Sequence, residues 1–299
     1  IPGRDPTIPG RDPTIPDHTR ACALWMGGAH AGQSERTPTL HMASKCQQKK
    51  PFEFPNVASD GLTALMFATA SGDSIRVKAL IEAQFALNTA SNEGWTALMY
   101  AVIDGQYQCA LALLTAGCDA NQASNKGWTA LMFAVSHGHV ACTHALLQNR
   151  ADPNVVESEH AWTPLMIAAH HGQNLCVRAL LKFGSDTRMV DSMHWTALMA
   201  ASFNGHDACV RSLLEEAVDP NMVDMDGYTA LMLSGLRGHD GCVRLLLEVA
   251  SDTSPKNLHG NDALLLSVLY GHNECVLALL ETRVSSHTRN IFGQTAASL

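Results

Sequence analysis

Six cysteines recur at a regular interval and are the first candidates for metal binding or nucleophilic catalysis. A zinc site needs several ligands within about 2.0–2.3 Å of one ion, whereas residues at one position of successive repeats lie a helix spacing of about 8–10 Å apart. That spacing also exceeds the Cα separation of about 7 Å that a disulfide tolerates. We therefore expect free thiols in a core, no metal, and a reducing cytoplasmic or nuclear compartment. The periodic cysteines are Cys109, Cys142, Cys176, Cys209, Cys242 and Cys275.

Histidines follow the same interval, as part of a Gly-His pair. Because Ser, His and Asp recur in step with the repeat, they are spread along the chain and do not converge as a catalytic site requires. No glycine-rich phosphate loop occurs either, so we expect neither enzymatic activity nor a cofactor. The paired histidines are interpreted as a structural hydrogen bond or a cap at the start of a helix. They are His139, His206, His239 and His272.

The element that positions these residues is the motif Thr-Ala-Leu-Met, with one Thr-Pro-Leu-Met variant. Successive copies are 33 residues apart, except for one spacing of 34 between Thr129 and Thr163. A fixed period in this range predicts a solenoid of stacked supersecondary units. The motif begins at Thr63, Thr96, Thr129, Thr163, Thr196 and Thr229.

The residue pattern within each unit predicts two short helices, as residues 91–123 illustrate. Thr96 can cap a first helix and Gly105 can end it in a left-handed conformation. A second helix carries one apolar stripe that includes Cys109 and Leu113. The following segment is rich in turn-forming residues and predicts a hairpin-like connection. Helices this short depend on burial against their neighbours.

The pattern Gly-x-Thr-Ala/Pro-Leu-x-x-Ala-x-x-x-Gly-His-x-x-Cys-Val-x-x-Leu-Leu resembles the ankyrin repeat. The resemblance covers residues 58–299 and implies an all-α solenoid of helix-turn-helix units joined by hairpin-like loops. The predicted repeats are 58–90, 91–123, 124–156, 157–190, 191–223, 224–256 and 257–289, with a partial repeat at 290–299.

Three features depart from the family pattern. Methionine stands where the family usually has histidine in the Thr-x-x-His motif. One extra residue near 157–160 predicts a local irregularity. The glycine after the second helix is replaced at five places, where a left-handed residue costs roughly 1–2 kcal/mol, so some of these helices are expected to end differently. The five replacements are Gln84, Arg150, Ala217, Ala250 and Arg283.

Residues 1–57 differ in composition from the repeats. The segment Ile-Pro-Gly-Arg-Asp-Pro-Thr occurs twice in tandem, and the prolines and glycines predict a disordered tail. A weaker hypothesis is that residues 37–43, Thr-Pro-Thr-Leu-His-Met-Ala, are the remnant of a further repeat.

Charge and hydropathy exclude two classes of partner. The formal net charge is -8 without a block of Lys or Arg, which disfavours nucleic-acid binding. No apolar run approaches the roughly 20 residues of a membrane span. We expect a monomer that binds another protein.

Two sets of residues are candidates for that binding. A ladder of large aromatic residues precedes the capping threonines; tryptophan and tyrosine are enriched at binding hot spots, although packing against the neighbouring turn is an equally good interpretation. The ladder consists of Trp95, Trp128, Trp162, Trp195 and Tyr228.

The second set precedes the glycine that ends the first helix, a position that the resemblance implies is variable and lines the concave contact surface. It consists of Asp104, His137, His171, Asn204, Arg237 and Tyr270. The function expected is a non-catalytic scaffold or adaptor. The alternative is a regulatory or targeting portion of a larger phosphatase, ubiquitin ligase, kinase or channel assembly, because the eighth repeat stops before its second helix.

Overall fold

Short helices in pairs make up the chain in a computed structural model, which describes residues 61–249, 251–282 and 285–299. The predicted tail, residues 1–57, lies outside the described residues. In the described part we number the α-helices in chain order, and a 3-10 turn follows them at Ala296–Ser298. The helices are α1 Ala64–Ala70, α2 Ser74–Glu82, α3 Ala97–Ile103, α4 Tyr107–Thr115, α5 Ala130–Ser136, α6 Val140–Gln148, α7 Pro164–His170, α8 Asn174–Lys182, α9 Ala197–Phe203, α10 Asp207–Glu215, α11 Ala230–Arg237, α12 Asp240–Glu248, α13 Ala263–Leu269 and α14 Asn273–Glu281.

The helices form two layers. Odd-numbered helices, which follow the capping threonines, pack on one another from α1 to α13, and even-numbered helices pack likewise from α2 to α14. Each odd helix also packs on the even helix that follows it. Among the described residues the only β-type pairing is an isolated bridge between Ala123 and Thr129. The predicted all-α solenoid is confirmed.

Capping threonines begin each of the odd-numbered helices from α1 to α11, as predicted. Their Oγ1 atoms accept a hydrogen bond from the backbone N–H three residues on, at 3.2 Å for Thr163 and Met166, and Asp262 replaces threonine at the start of α13. The methionine of the motif is completely buried at Met66 and Met99. Its sulfur also accepts from the backbone N–H of the capping residue, at 3.4 Å for Thr63 and 3.5 Å for Thr96. At these two positions methionine therefore supplies a weak hydrogen-bond acceptor as well as core volume.

Side-chain and backbone hydrogen bonds join each loop to the next one. An asparagine accepts from a backbone N–H one repeat later, as Asn121 does from Asp152 at 2.7 Å. The hairpin tips are joined through the backbone, as in Asn125 N–H to Glu93 O at 3.1 Å. The connecting loops are therefore part of the stacked structure.

The predicted irregularity lies in the loop that begins at Glu157. In other repeats the residue at this position accepts from the backbone N–H four residues on, as Ser124 does from Trp128. Here the loop has one more residue, and the longer Glu157 side chain reaches Trp162 N–H at 3.2 Å as well as Glu159 N–H and His160 N–H. A longer side chain thus compensates for the extra residue.

Left-handed backbone is retained where glycine is missing. The expectation that some of these helices end differently is wrong for Gln84, Arg150 and Ala217, whose φ angles are 58°, 66° and 53°. Ala161 and His194 are also left-handed, both at φ 62°, in the turn before the motif. Ala250 and Arg283 lie outside the described residues. Stacking therefore imposes the loop geometry even on residues that disfavour it.

Replacing Ala217 by glycine should stabilise the protein. Glycine removes the left-handed penalty, and after its larger loss of backbone entropy on folding about 0.5–1 kcal/mol should remain. Urea denaturation of Ala217→Gly measures this gain. The matched control is Ala208→Gly in α10, where the same exchange should destabilise by about 0.5–1 kcal/mol because the residue is helical. Loss of stability in both variants would contradict the argument.

Candidate functional site

The aromatic ladder lies deeper than a contact surface requires. Trp162, Trp195 and Tyr228 are only 5%, 4% and 2% exposed, so their interpretation as exposed contact residues is wrong. Their side chains lie between the hairpins of successive repeats. The alternative, packing against the neighbouring turn, describes these three residues.

Hydrogen bonds explain why the indole rings are buried. Trp162 Nε1–H donates to Asp191 Oδ2 at 2.9 Å, and Trp195 Nε1–H donates to Asp224 Oδ2 at 3.1 Å. Each carboxylate also holds its own turn, because Asp191 Oδ1 accepts from Trp195 N–H at 2.8 Å and Asp224 Oδ1 accepts from Tyr228 N–H at 2.8 Å. Trp162, Trp195 and the two aspartates thus link three consecutive repeats. We call this set the Trp-Asp chain.

Burial perturbs the carboxyl groups of the Trp-Asp chain. Desolvation raises the pKa of Asp224 to about 6. Hydrogen bonds from Tyr228, Asp226 and Trp195 favour the carboxylate and have the opposite, smaller effect. Desolvation likewise raises the pKa of Asp191. The Tyr228 hydroxyl lies beside the Asn257 side chain. The Asn257 Nδ2 group itself has no partner within hydrogen-bond geometry among the described residues. Burial raises the pKa of Tyr228 to about 12.

The two N-terminal members of the ladder, Trp95 and Trp128, are only partly buried and pack against the core. The Trp95 ring lies 5.3 Å from Tyr100 and 4.6 Å from Phe133, and Trp128 lies 5.1 Å from Phe133. The four rings form one continuous aromatic cluster between the first helices and their hairpins. Both tryptophans nevertheless keep some exposed surface.

The second predicted set occupies one equivalent place in successive repeats. Each residue is the last or the next residue of an odd-numbered helix, just before the left-handed glycine. We call this set the helix-end row. Its exposed members are Asp104, His137 and Arg237, and its partly buried members are His171, Asn204 and Tyr270.

Contacts with neighbouring side chains support several members of the helix-end row. The Arg237 guanidinium lies over the Phe203 ring, 4.7 Å from its centroid, a cation–π geometry. Asn204 Nδ2 lies 2.8 Å from His170 Nδ1, and the rings of His170 and His171 meet edge to face at 4.9 Å. The row therefore presents acidic, imidazole, amide, guanidinium and phenol groups on one supported edge.

The Gly-His histidines occupy the N-cap positions of second helices, but their side chains make a structural hydrogen bond elsewhere and no capping bond. His139 Nε2 lies 3.1 Å from Ile103 O, a carbonyl in the preceding repeat, and no side-chain cap bond forms at His139. The ring also lies against Gly105, where a Cβ would come within 2.6 Å of His139 Nδ1. The same contact to a carbonyl 36 residues earlier occurs at His206, His239 and His272.

The seven described cysteines, which include Cys118, are free thiols as predicted. The six periodic ones are buried, and burial raises the pKa of each, to about 11 for Cys142 and Cys275 and to about 12 for Cys209. Cys242 Sγ donates to Asp207 Oδ1 at 3.0 Å. Within the described residues, no three His, Cys, Asp or Glu side chains gather as a metal site would require. Nor does the described part contain a helix long and apolar enough to cross a membrane.

Sequence reasoning missed a group of exposed apolar residues at the hairpin tips of the last repeats: Met225, Leu258 and Ile291. They are 33 residues apart, so the repeat alignment itself carried the signal. The corresponding tips of the preceding four repeats hold Asn92, Asn125, Ser158 and Ser192.

Comparison with known proteins identifies the repeated unit. A sequence model described as ankyrin repeats (3 copies) matches residues 25–124, 146–224 and 216–290, and a single ankyrin repeat model matches residues 126–158. The first match begins upstream of the boundary predicted at residue 58 and includes residues 37–43. No curated protein matches the chain.

Solved ankyrin structures share the fold. The human ASB11 ankyrin repeat domain is 24% identical, with a TM-score of 0.66, over 73% of this chain and 98% of that one. The ankyrin repeat domain of Bcl-3, described as a unique member of the IkappaB protein family, is 27% identical, with a TM-score of 0.65, over 74% of this chain and 100% of that one.

Replacing Asp224 by asparagine should change how stability depends on pH. The folded pKa of about 6 lies above the ordinary value of 3.8, so the folded state binds the proton more tightly than the unfolded state. The stability contributed by this group is complete below about pH 4 and is lost as pH rises to about 6. The loss amounts to about 3 kcal/mol at most.

Urea denaturation between pH 4 and pH 7 measures this effect. In Asp224→Asn the fall in the free energy of unfolding over this pH range should be smaller by this amount. The substitution can also shift the whole profile by a constant, which does not affect this comparison. The control is Asp219→Asn, which makes the same exchange on an exposed loop and should retain the decline that Asp224 causes. Parallel profiles for the wild type and Asp224→Asn would show that Asp224 does not titrate in this range.

Proposed function

Because the chain belongs to the ankyrin-repeat family, we propose that it is a protein-binding scaffold or adaptor that recognises its partner through the helix-end row. Partly exposed Trp95 and Trp128 extend this surface at its N-terminal end. Recognition relies on complementary shape and charge, and the proposal assigns no chemical step to the chain. We further propose a monomer in a reducing compartment, the cytoplasm or the nucleus, in keeping with the free buried thiols.

The observation that carries the proposal is variation at a position of fixed geometry. Every member of the helix-end row precedes a left-handed glycine, and the helices before it share capping residues and buried leucines. The scaffold therefore tolerates many side chains at this position. The residues found there are chemically diverse and include an aspartate, an arginine, a tyrosine and two histidines. Such chemical variety on a uniform frame fits specific recognition of another protein.

Rigidity of the frame supports the same proposal. The hydrogen bonds between repeats hold the ends of the first helices before any partner arrives. A preformed surface loses less conformational entropy on binding than a flexible one does. The contact between Arg237 and Phe203 restricts a long side chain that would otherwise lose rotamer freedom in the complex.

Affinity capture with quantitative mass spectrometry tests the proposal. The full chain is compared with a variant in which the exposed members of the row are truncated: Asp104→Ala, His137→Ala and Arg237→Ala. A control variant carries Glu82→Ala, Gln148→Ala and Lys182→Ala, which remove the same set of charges from exposed positions at the ends of second helices.

Direct partners should bind the wild type and the control variant equally and lose at least tenfold in capture by the row variant. Truncation of hot-spot residues commonly costs 2 kcal/mol or more, which corresponds to such a loss. Circular dichroism melting of all three proteins separates loss of binding from loss of folding. Equal capture by the row variant and the wild type would refute the helix-end row as the contact surface.

A further inference from the structure

An apolar stripe crosses the hairpin tips of the three C-terminal repeats. Met225, Leu258 and Ile291 are 58%, 69% and 64% exposed. Large apolar side chains that are exposed singly need no explanation, but a contiguous apolar patch marks an interaction site. We call these three residues the C-terminal hairpin column.

Backbone hydrogen bonds place the three residues in one column. Met225 N–H donates to Met193 O at 3.2 Å, Leu258 N–H to Asp226 O at 2.9 Å, and Ile291 N–H to His259 O at 3.0 Å. Each tip is therefore attached to the tip before it in the same way. Met225 and Leu258 are each followed by a further described hairpin, so their exposure is not an effect of lying in the last described repeat.

The fold does not require apolar residues at this place. The same backbone bond joins Asn125 N–H to Glu93 O and Ser158 N–H to Lys126 O, each at 3.1 Å, where the tip residue is polar. Polar residues occupy the position in four successive repeats and apolar residues in the next three. An exposed apolar side chain contributes nothing to the core, so the change of character favours a role in binding.

The charges beside the column indicate the chemistry of the occupant. Lys256 and Arg289 each lie two residues before a column residue and are exposed, and Arg289 Nη1–H donates to the Gly293 carbonyl oxygen at 3.2 Å. Acidic Asp226 adjoins Met225 but is partly buried. The N-terminal tips instead carry exposed Glu93 and Glu159, together with Lys126.

We propose that the C-terminal hairpin column binds an extended segment of another protein that carries apolar side chains at every third residue and acidic side chains between them. Repeats follow one another at about 8–10 Å, and a polyproline II segment advances about 3.1 Å per residue with three residues per turn. Its apolar side chains therefore lie on one face at the spacing of the column. The inference rests on the proposed function and assigns a partner chemistry to its C-terminal half.

A membrane surface fits the same residues less well. Anionic lipids are recognised by clusters of about four to eight Lys or Arg residues, whereas the column has two basic neighbours.

Selection from a random dodecapeptide display library on the full chain tests the proposal. Winning peptides are synthesised, and their dissociation constants are measured by fluorescence anisotropy on the wild type, on three variants described below and on the row variant of the preceding subsection. The column variant carries Met225→Asn, Leu258→Asn and Ile291→Asn, which introduce a residue that the N-terminal tips already hold. The control variant carries Ile75→Asn, Leu175→Asn and Leu277→Asn, which change equally exposed apolar residues on second helices.

We expect the winning peptides to combine acidic residues with apolar residues at every third position. They should bind the wild type and the control variant within twofold and the column variant at least tenfold more weakly. A charge-reversed variant, Lys256→Glu with Arg289→Glu, should weaken binding similarly, and the effect should shrink at high salt.

Three outcomes would overturn the inference. They are winning peptides without acidic residues, peptides that bind the column variant as they bind the wild type, and column-dependent sedimentation with phosphatidylserine vesicles in place of peptide binding. Peptides that lose binding only with the row variant would leave the proposed function standing while this inference fails. Peptides that depend on the column but not on the row would support this inference and give no support to the helix-end row as a contact surface.

Discussion

Burial between repeats is the constraint on which this structure depends. Helices of seven to nine residues are marginal in water, and none of the pairs can cover its own apolar face. Stacking covers it with leucine, methionine and cysteine from the neighbouring unit. The polar side chains with repeated roles act across the same boundary, since histidine rings reach carbonyl oxygens of the preceding repeat and asparagine amides reach the next loop.

This constraint divides the surface into positions that the stack specifies and positions that it leaves open. Where stacking specifies the geometry, a poor residue is forced to comply, as Ala217 and Arg150 are in the left-handed region. Where stacking leaves a position open, side-chain chemistry varies from repeat to repeat, as in the helix-end row and at the hairpin tips. Binding specificity in a solenoid can change at open positions without altering the fold.

The repeat period predicted the fold, the caps and the loop irregularity because these features depend on local residues that recur in phase. The depth of the aromatic ladder required information from a second repeat. Trp162 and Trp195 have an aspartate 29 residues later that accepts from the indole, whereas Trp95 and Trp128 have Ser124 and Glu157 there. The Glu157 oxygens already hold their own loop, and the serine side chain is short. Reading donor and acceptor pairs across repeats would have distinguished buried from accessible rings.

The regular burial of cysteine has a consequence for how the protein can be studied in solution. Each of six successive units carries a buried cysteine on its second helix. The thiol becomes reactive only when its own unit opens. The chain thus carries a built-in series of evenly spaced reporters of local unfolding. Pulsed alkylation followed by peptide mapping would reveal the order in which the units detach, without the introduction of any foreign probe.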